Sequence, residues 1–230
     1  AEHVEEERVR KLVHLLEREK KSDQAETLLT TYLAKNPADP TLHAQLACLY
    51  ESRQEPGNAI PIVEKLHAAN AADPNLTRML ASLYSSDNQF DKAAPLYATL
   101  TTLYPNDPTL VTDRADALIH LRQFAEAEAI LRRTIAQPSA FPTKDDLGLA
   151  ASHLAFAASS NDDPTTSLQA LAIRDKVLPQ SPSSLFLAAT AHDKLHQVKE
   201  ARDLYKQFLS VANGKFPNEE WQARHRLVTL

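Results

Sequence analysis

Glycine is nearly missing from this sequence, with three residues in 230, at Gly57, Gly148 and Gly214. Phosphate-cradling loops, dinucleotide fingerprints and nucleophile elbows need glycines at short fixed spacing. These three stand too far apart for any of them. A single cysteine, Cys48, excludes an intrachain disulfide framework and a multi-cysteine zinc site. No run of eighteen apolar residues occurs, so no membrane span is expected in this segment. No charged-then-apolar leader is visible. A net charge of −5 argues against a basic nucleic-acid surface, so no nucleic-acid partner is expected. The only methionine is Met79. A chain that begins at Ala1 is therefore expected to have lost an initiator, or to be processed or excised from a longer product. Val and Ile are sparse and sustained period-2 alternation is almost absent, so no strands are expected.

What is present is periodic. Hydrophobic residues make up 43% and charged residues 24%, enough for a packed core. Asp-Pro recurs at Asp39-Pro40, Asp73-Pro74 and Asp107-Pro108, each step being 34 residues. The same step relates Leu12, Leu46 and Leu80; Tyr50 and Tyr84; Pro61 and Pro95; and Ala25, Ala59, Ala93 and Ala127. Several series in one register mark a repeat. After a six-residue insertion, nominally Pro142–Leu147, the register resumes at Leu154, Ala155, Leu171 and Pro179, then at Ala188, Ala189 and Tyr205. The expected repeats are 6–39, 40–73, 74–107, 108–141, 148–181 and 182–215, in a single array over 1–230.

Each unit is expected to hold two helices. Asp caps the first by accepting backbone N–H bonds, and Pro follows where no donor is needed. From Thr41 to about Arg53, the residues Leu42, Leu46, Leu49 and Tyr50 recur at helical spacing. After a break at Glu55-Pro56-Gly57, a second helix is expected from about Asn58 to Asn70, with Pro61 near its start. Ala47, Ala81, Ala115, Ala155 and Ala189 are expected to face Ala25, Ala59, Ala93, Ala127 and Ala201, small side chains that let paired helices approach closely. Tyr50, Tyr84, Tyr97 and Tyr205 fill wider gaps between pairs.

The 34-residue period, the Leu-Ala-x-x-Tyr of Leu46, Ala47 and Tyr50 and of Leu80, Ala81 and Tyr84, the second-helix alanines, and the closing Pro37, Pro105 and Pro179 together resemble tetratricopeptide repeats (TPRs). The resemblance implies an all-α, right-handed α-solenoid of about six antiparallel helix pairs plus a capping helix over 218–229. It also implies a concave surface lined by first helices. Several residues depart from the pattern. Arg114 stands where Leu is expected, with its stem packed and its head paired or solvated. Ser167 takes a small position, His192 takes the first-helix Tyr position, and the fifth first helix starts early, near Lys144.

Candidate binding residues follow from those inner positions. Arg10, His14 and Arg18 lie at four-residue spacing, and Arg78 and Ser82 hold similar places, suited to an acidic or C-terminal group of a peptide. A two-carboxylate clamp of Lys and Asn does not carry over, because the corresponding places hold Arg10 with His14, Ala44 with Cys48, and Arg78 with Ser82. Asp113, Asp116 and His120 share one face in the fourth repeat, where Thr112 is a further groove candidate; the three could bind a metal, serve as acid and base, or offer negative charge to a ligand. Ser152, Phe156 and Phe186 are inner-surface candidates of the last two repeats, with the two rings either groove or core. Cys48 reads as a small packing or groove residue. His192 and His196 imitate a zinc-protease helix, but Asp193 replaces the required Glu and no third ligand is evident. The acidic Glu2, Glu5, Glu6 and Glu7 followed by Arg8, Arg10 and Lys11 read as a solvated helix start.

The expectation is a non-enzymatic scaffold or adaptor that takes a peptide or partner segment in its groove, with no cofactor and no metal. The alternatives are a regulatory or assembly segment of a larger, envelope-associated protein and a self-associating module, which leaves a homo-oligomer open.

Overall fold

The computed structural model describes residues 2–230, with side chains from Val4 onward. Ala1 and the side chain of Glu2, the first member of the acidic start, lie outside the described residues. Among the described residues there are thirteen α-helices and no strand. The chain divides into two compact units, Ala1–Leu100 and Thr101–Leu230. The first holds α1 (Glu2–Arg18), α2 (Ser22–Lys35), α3 (Pro40–Ser52), α4 (Pro56–Ala69), α5 (Pro74–Ser86) and most of α6 (Phe90–Leu103). The second holds α7 (Pro108–His120), α8 (Phe124–Ile135), α9 (Lys144–Ser160), α10 (Pro164–Arg174), α11 (Pro182–Lys194), α12 (Val198–Ala212) and α13 (Pro217–Thr229).

The 34-residue step is visible in the helix starts. First helices α3, α5 and α7 open at Pro40, Pro74 and Pro108, and second helices α4, α6 and α8 open at Pro56, Phe90 and Phe124. Asp39, Asp73 and Asp107 are the N-caps, each accepting from the backbone N–H two residues on, at 3.0, 2.8 and 3.0 Å. Each such cap contributes about 1 kcal/mol. A fourth Asp-Pro, Asp163-Pro164, opens the second helix α10 instead. α9 begins at Lys144, as expected from the insertion, behind a capping box between Thr143 and Asp146.

Two details of the second helix differ from the sequence expectation. α4 begins at Pro56, two residues earlier, so Gly57 lies inside its first turn. Pro61 is then the sixth residue of the helix, beyond the turn whose N–H groups lack partners. It removes a backbone bond rather than falling where none is needed. Pro61 and Pro95 are exposed, so the carbonyls they deprive can turn to water.

The turn inside each pair was not legible in composition. Lys20, Gln54, Asn88 and Arg122 adopt φ of 58, 58, 59 and 60°, at one 34-residue step. Asp162 and His196 do the same in the last two pairs, with φ of 61 and 56°. In each case the next residue's N–H bonds the carbonyl five back, as Glu55 does to Tyr50 at 2.9 Å and Gln123 to Leu118 at 2.8 Å. This is a Schellman closure of the first helix. None of the six is glycine, the residue that takes this backbone region without a Cβ clash. Gln54→Gly with Arg122→Gly is expected to raise stability by about 1 kcal/mol in total, after the loss of unfolded-state entropy is counted. A urea midpoint that stays fixed or falls would contradict the strain assigned to these turns.

The core follows the repeat register. All ten alanines named at the two facing positions are fully buried. Ser167, at the eleventh, is also buried and donates its hydroxyl to the Ala155 carbonyl at 3.0 Å. Leu29, Val63, Tyr97, Leu131, Leu171 and Tyr205 form one buried second-helix series. Leu12 has the register of Leu46 and Leu80 but is 47% exposed, because no described helix precedes α1 to cover it. Arg114 sends its guanidinium to Thr101 Oγ1 and Glu126. Gly148 faces the segment after α10: a Cβ there would stand 2.5 Å from Leu178 Cγ. α13 is held on the last pair through Phe216, Ala223 and Leu227 in the cluster around Tyr205 and Phe208.

Candidate functional site

In the first unit, α1 and α3 lie side by side and leave a groove of about 730 Å³ between their exposed faces. Its lining comes from Arg10, Lys11, His14, Leu15 and Glu17 on α1, and from Thr41, Ala44, Gln45 and Cys48 on α3. Positions four apart on each helix supply the walls, as the helical period requires. Arg10, His14 and Cys48, chosen from the sequence, therefore come together; Arg18 does not line the groove. Lys11, Leu15 and Gln45 were missed. Their signal was the neighbouring turn of the same face, which the 34-residue series alone does not single out.

The groove pairs an apolar floor with a basic rim. Arg10 is exposed and has no carboxylate within ion-pair distance among the described residues, while Lys11 is 2.7 Å from Glu7. His14 is 3.9 Å from Glu17. Gln45 donates weakly to the Arg10 carbonyl at 3.4 Å and keeps its own buried carbonyl oxygen without a protein partner. Burial pushes the Cys48 thiol above its ordinary range, and Glu51 and Glu17 push it further. It is therefore a neutral thiol rather than an activated nucleophile. On α5, Arg78 is exposed and Ser82 donates to Glu51 of α3 at 3.5 Å. Tyr50 and Tyr84 brace the pairs: Tyr50 donates to Glu26 at 2.9 Å and Tyr84 to Glu64 at 2.5 Å, each on the second helix of the preceding pair. Burial first and Glu64 second push the Tyr84 hydroxyl up to about 12.

The second unit gathers a different set. Asp116 Oδ1 lies 3.5 Å from His120 Nδ1 and 3.6 Å from His153 Nε2, the latter on α9. His120 Nδ1 also meets the Asp116 backbone carbonyl at 2.9 Å. His153 was not chosen from the sequence; it stands in α9 at the register of Asp113, once the insertion is counted. Burial lowers its tendency to protonate, opposed by Asp116 and reinforced by His120. Thr112 is buried and donates to the Pro108 carbonyl at 2.7 Å, so its hydroxyl is used within the helix. Ser152 does the same with Gly148 at 2.8 Å. Phe156 is 45% exposed and meets Phe124 edge-on, with ring centroids 6.2 Å apart. Phe186 is half-buried and packs on Tyr205 and Phe208 at 6.2 and 5.2 Å. Asp113 is half-buried on the same helix as Asp116.

His192 Nδ1 meets Gln197 Oε1 and His196 occupies the turn, while Asp193 between them is engaged by Arg226. Among the described residues no group of three or more His, Cys, Asp and Glu side chains is spaced to hold a metal ion, and no helix is long and apolar enough to cross a membrane.

Residues 84–139 match the family model for the tetratricopeptide repeat. No curated protein matches the chain. Its structure is similar to that of PilF from Pseudomonas aeruginosa, at 16% identity, covering 95% of this chain and 96% of that one, with a TM-score of 0.67. A tetratricopeptide repeat protein from Parabacteroides merdae matches at 15% identity over 89% and 78%, with a TM-score of 0.69. YrrB, described as a TPR protein with an unusual peptide-binding site, matches at 14% identity over 86% and 96%, with a TM-score of 0.67. At such identities the likeness is one of fold.

Proposed function

We propose that this chain, whose residues 84–139 match the tetratricopeptide repeat and whose fold is like that of such proteins, is a binding module that takes a peptide segment of a partner protein on its first helices and carries out no chemistry of its own. The fold is one that generally mediates protein–protein interaction. The observation that supports the finer reading is the groove between α1 and α3. Leu15, Ala44 and Cys48 give it an apolar floor, and Arg10, with no carboxylate in ion-pair range among the described residues, stands on its rim. Such a surface suits an apolar segment with an acidic side chain or terminal carboxylate opposite Arg10. The neutral Cys48 thiol supports a binding rather than a catalytic role.

The test uses peptides selected from a displayed random library on the full chain. Short peptides are expected to bind near ~1 μM. Leu15→Glu and Ala44→Trp, which charge or fill the groove on exposed or half-exposed positions, are expected to weaken a groove-selected peptide at least ~10-fold, about 1.4 kcal/mol. Unchanged affinity in both variants, with the helical circular dichroism retained, contradicts the proposed site.

A further inference from the structure

The cluster at Asp116 is not used by the groove of the first unit, and its composition is unusual. A half-buried carboxylate normally collects a lysine or arginine. Asp116 has neither within ion-pair distance among the described residues; the titratable side chains beside it are the imidazoles of His120 and His153. The carboxylate's side chain is 35% exposed, so an incoming group can reach it. On α9, one helical turn to either side of His153, stand Leu149 and Phe156, seven residues apart on one face and both nearly half exposed. The Phe156 ring is steadied edge-on by Phe124.

We propose that Asp116, with the ring faces of Phe156 and Phe124 and the exposed Leu149, forms a subsite for an arginine or lysine side chain carried on an otherwise apolar partner segment, and that protonation of His120 and His153 closes it. This deepens the reading of the first helices as peptide-binding surfaces and rests on it.

The charge balance carries the selectivity. With both imidazoles neutral the cluster holds one negative charge, and a cation placed there meets a carboxylate and an aromatic face together. With both imidazoles protonated the same cluster carries one net positive charge, and Asp116 is occupied from within. The incoming cation is then repelled. Of the helices packed on α9, α7 brings Asp116 and His120 to the His153 ring. Burial holds His153 neutral to lower pH than an exposed imidazole, so the site stays open through neutrality and closes only in acid.

The experiment selects displayed dodecapeptides on the full chain at pH 7.5 and collects those released by a step to pH 5.5. The acid-released pool is expected to be enriched in Arg and Lys among apolar residues. A fluorescein-labelled peptide made from that pool should bind Asp116→Asn at least ~10-fold more weakly than the native chain at pH 7.5. It should bind the native chain at least ~10-fold more weakly at pH 5.5 than at 7.5. His120→Gln combined with His153→Gln should flatten that pH profile; Asp116→Asn, on a partly exposed position, keeps the test independent of any folding defect in the His153 variant. A pool without basic enrichment, or a peptide indifferent to Asp116→Asn, overturns the subsite. If such peptides still respond to Leu15→Glu, the peptide-binding reading stands while the subsite falls. If the native chain retains no peptide at all, both fall.

Discussion

Phe208→Ala is expected to destabilise the C-terminal helices by about 4 kcal/mol, the largest effect of any single substitution considered for this chain. Phe208 is fully buried on α12, and its ring lies 5.2 Å from that of Phe186 on α11 and 6.2 Å from that of Phe216, the residue before α13. It thus joins three consecutive elements. Removing it leaves a cavity whose walls are ends of different helices and cannot all move inward together. Arrays of repeats lose stability locally, through the affected pair and its neighbours. Amide exchange should therefore quicken across α11, α12 and α13, while α2 to α4 in the first unit keep their protection. Uniform acceleration over the whole chain would contradict this.

Asp193→Asn is expected to cost about 2 kcal/mol at pH 7. Asp193 accepts from Arg226 at both oxygens, Nε to Oδ2 and Nη2 to Oδ1, each at 2.6 Å, and from the Tyr205 hydroxyl at 3.2 Å. Three helices, α11, α12 and α13, meet at this one carboxylate. It is nearly buried, at 11% exposure, whereas Arg226 is 38% exposed, so the pair's contribution lies below that of a fully enclosed ion pair. The bond from Arg226, more than any other cause, holds the Asp193 carboxyl below its ordinary range. The folded form thus binds its proton less readily than the unfolded form. Its contribution is complete above about pH 4 and is lost as pH falls through the folded value. The melting difference between the native chain and Asp193→Asn should accordingly be largest at neutral pH and shrink below pH 4. A difference that does not change between pH 7 and pH 3 would rule out the ionised pair as its source.

Much of this architecture was legible in the sequence because the repeat imposes the same packing at fixed positions. Ala47, Ala81, Ala115 and their partners are small because two helix backbones pass close there, and the structure buries every one. The Asp-Pro caps were legible for a similar reason, since donor-poor Pro and acceptor Asp answer the same need at each helix start. The turns were not. Lys20, Gln54, Asn88 and Arg122 share a left-handed backbone that the Schellman closure enforces, whatever the side chain. With no glycine there, only the 34-residue alignment of four unlike residues marks them. Leu12 shows the converse: the residue type was right for a core position, but burial needs a neighbour, and no described helix precedes α1.

The candidate sites were half legible. Arg10, His14 and Cys48 were found because first-helix positions four apart share a face, and Asp116 with His120 for the same reason. His153 was hidden by the insertion before α9, which shifts its register relative to Asp116. Phe124, at the start of a second helix, belongs to no first-helix series and came into view only through its contact with Phe156.

The central claim is that first helices, and not second helices, carry the binding surface. Amide chemical-shift mapping of the isotopically labelled chain with a peptide selected on it tests this most directly. The account predicts shifts on α1, α3 and α5 in the first unit or on α7, α9 and α11 in the second, among them Arg10, Cys48, Asp116 and Phe156. Shifts concentrated on α2, α4, α8 or α12, with the first helices silent, would contradict it.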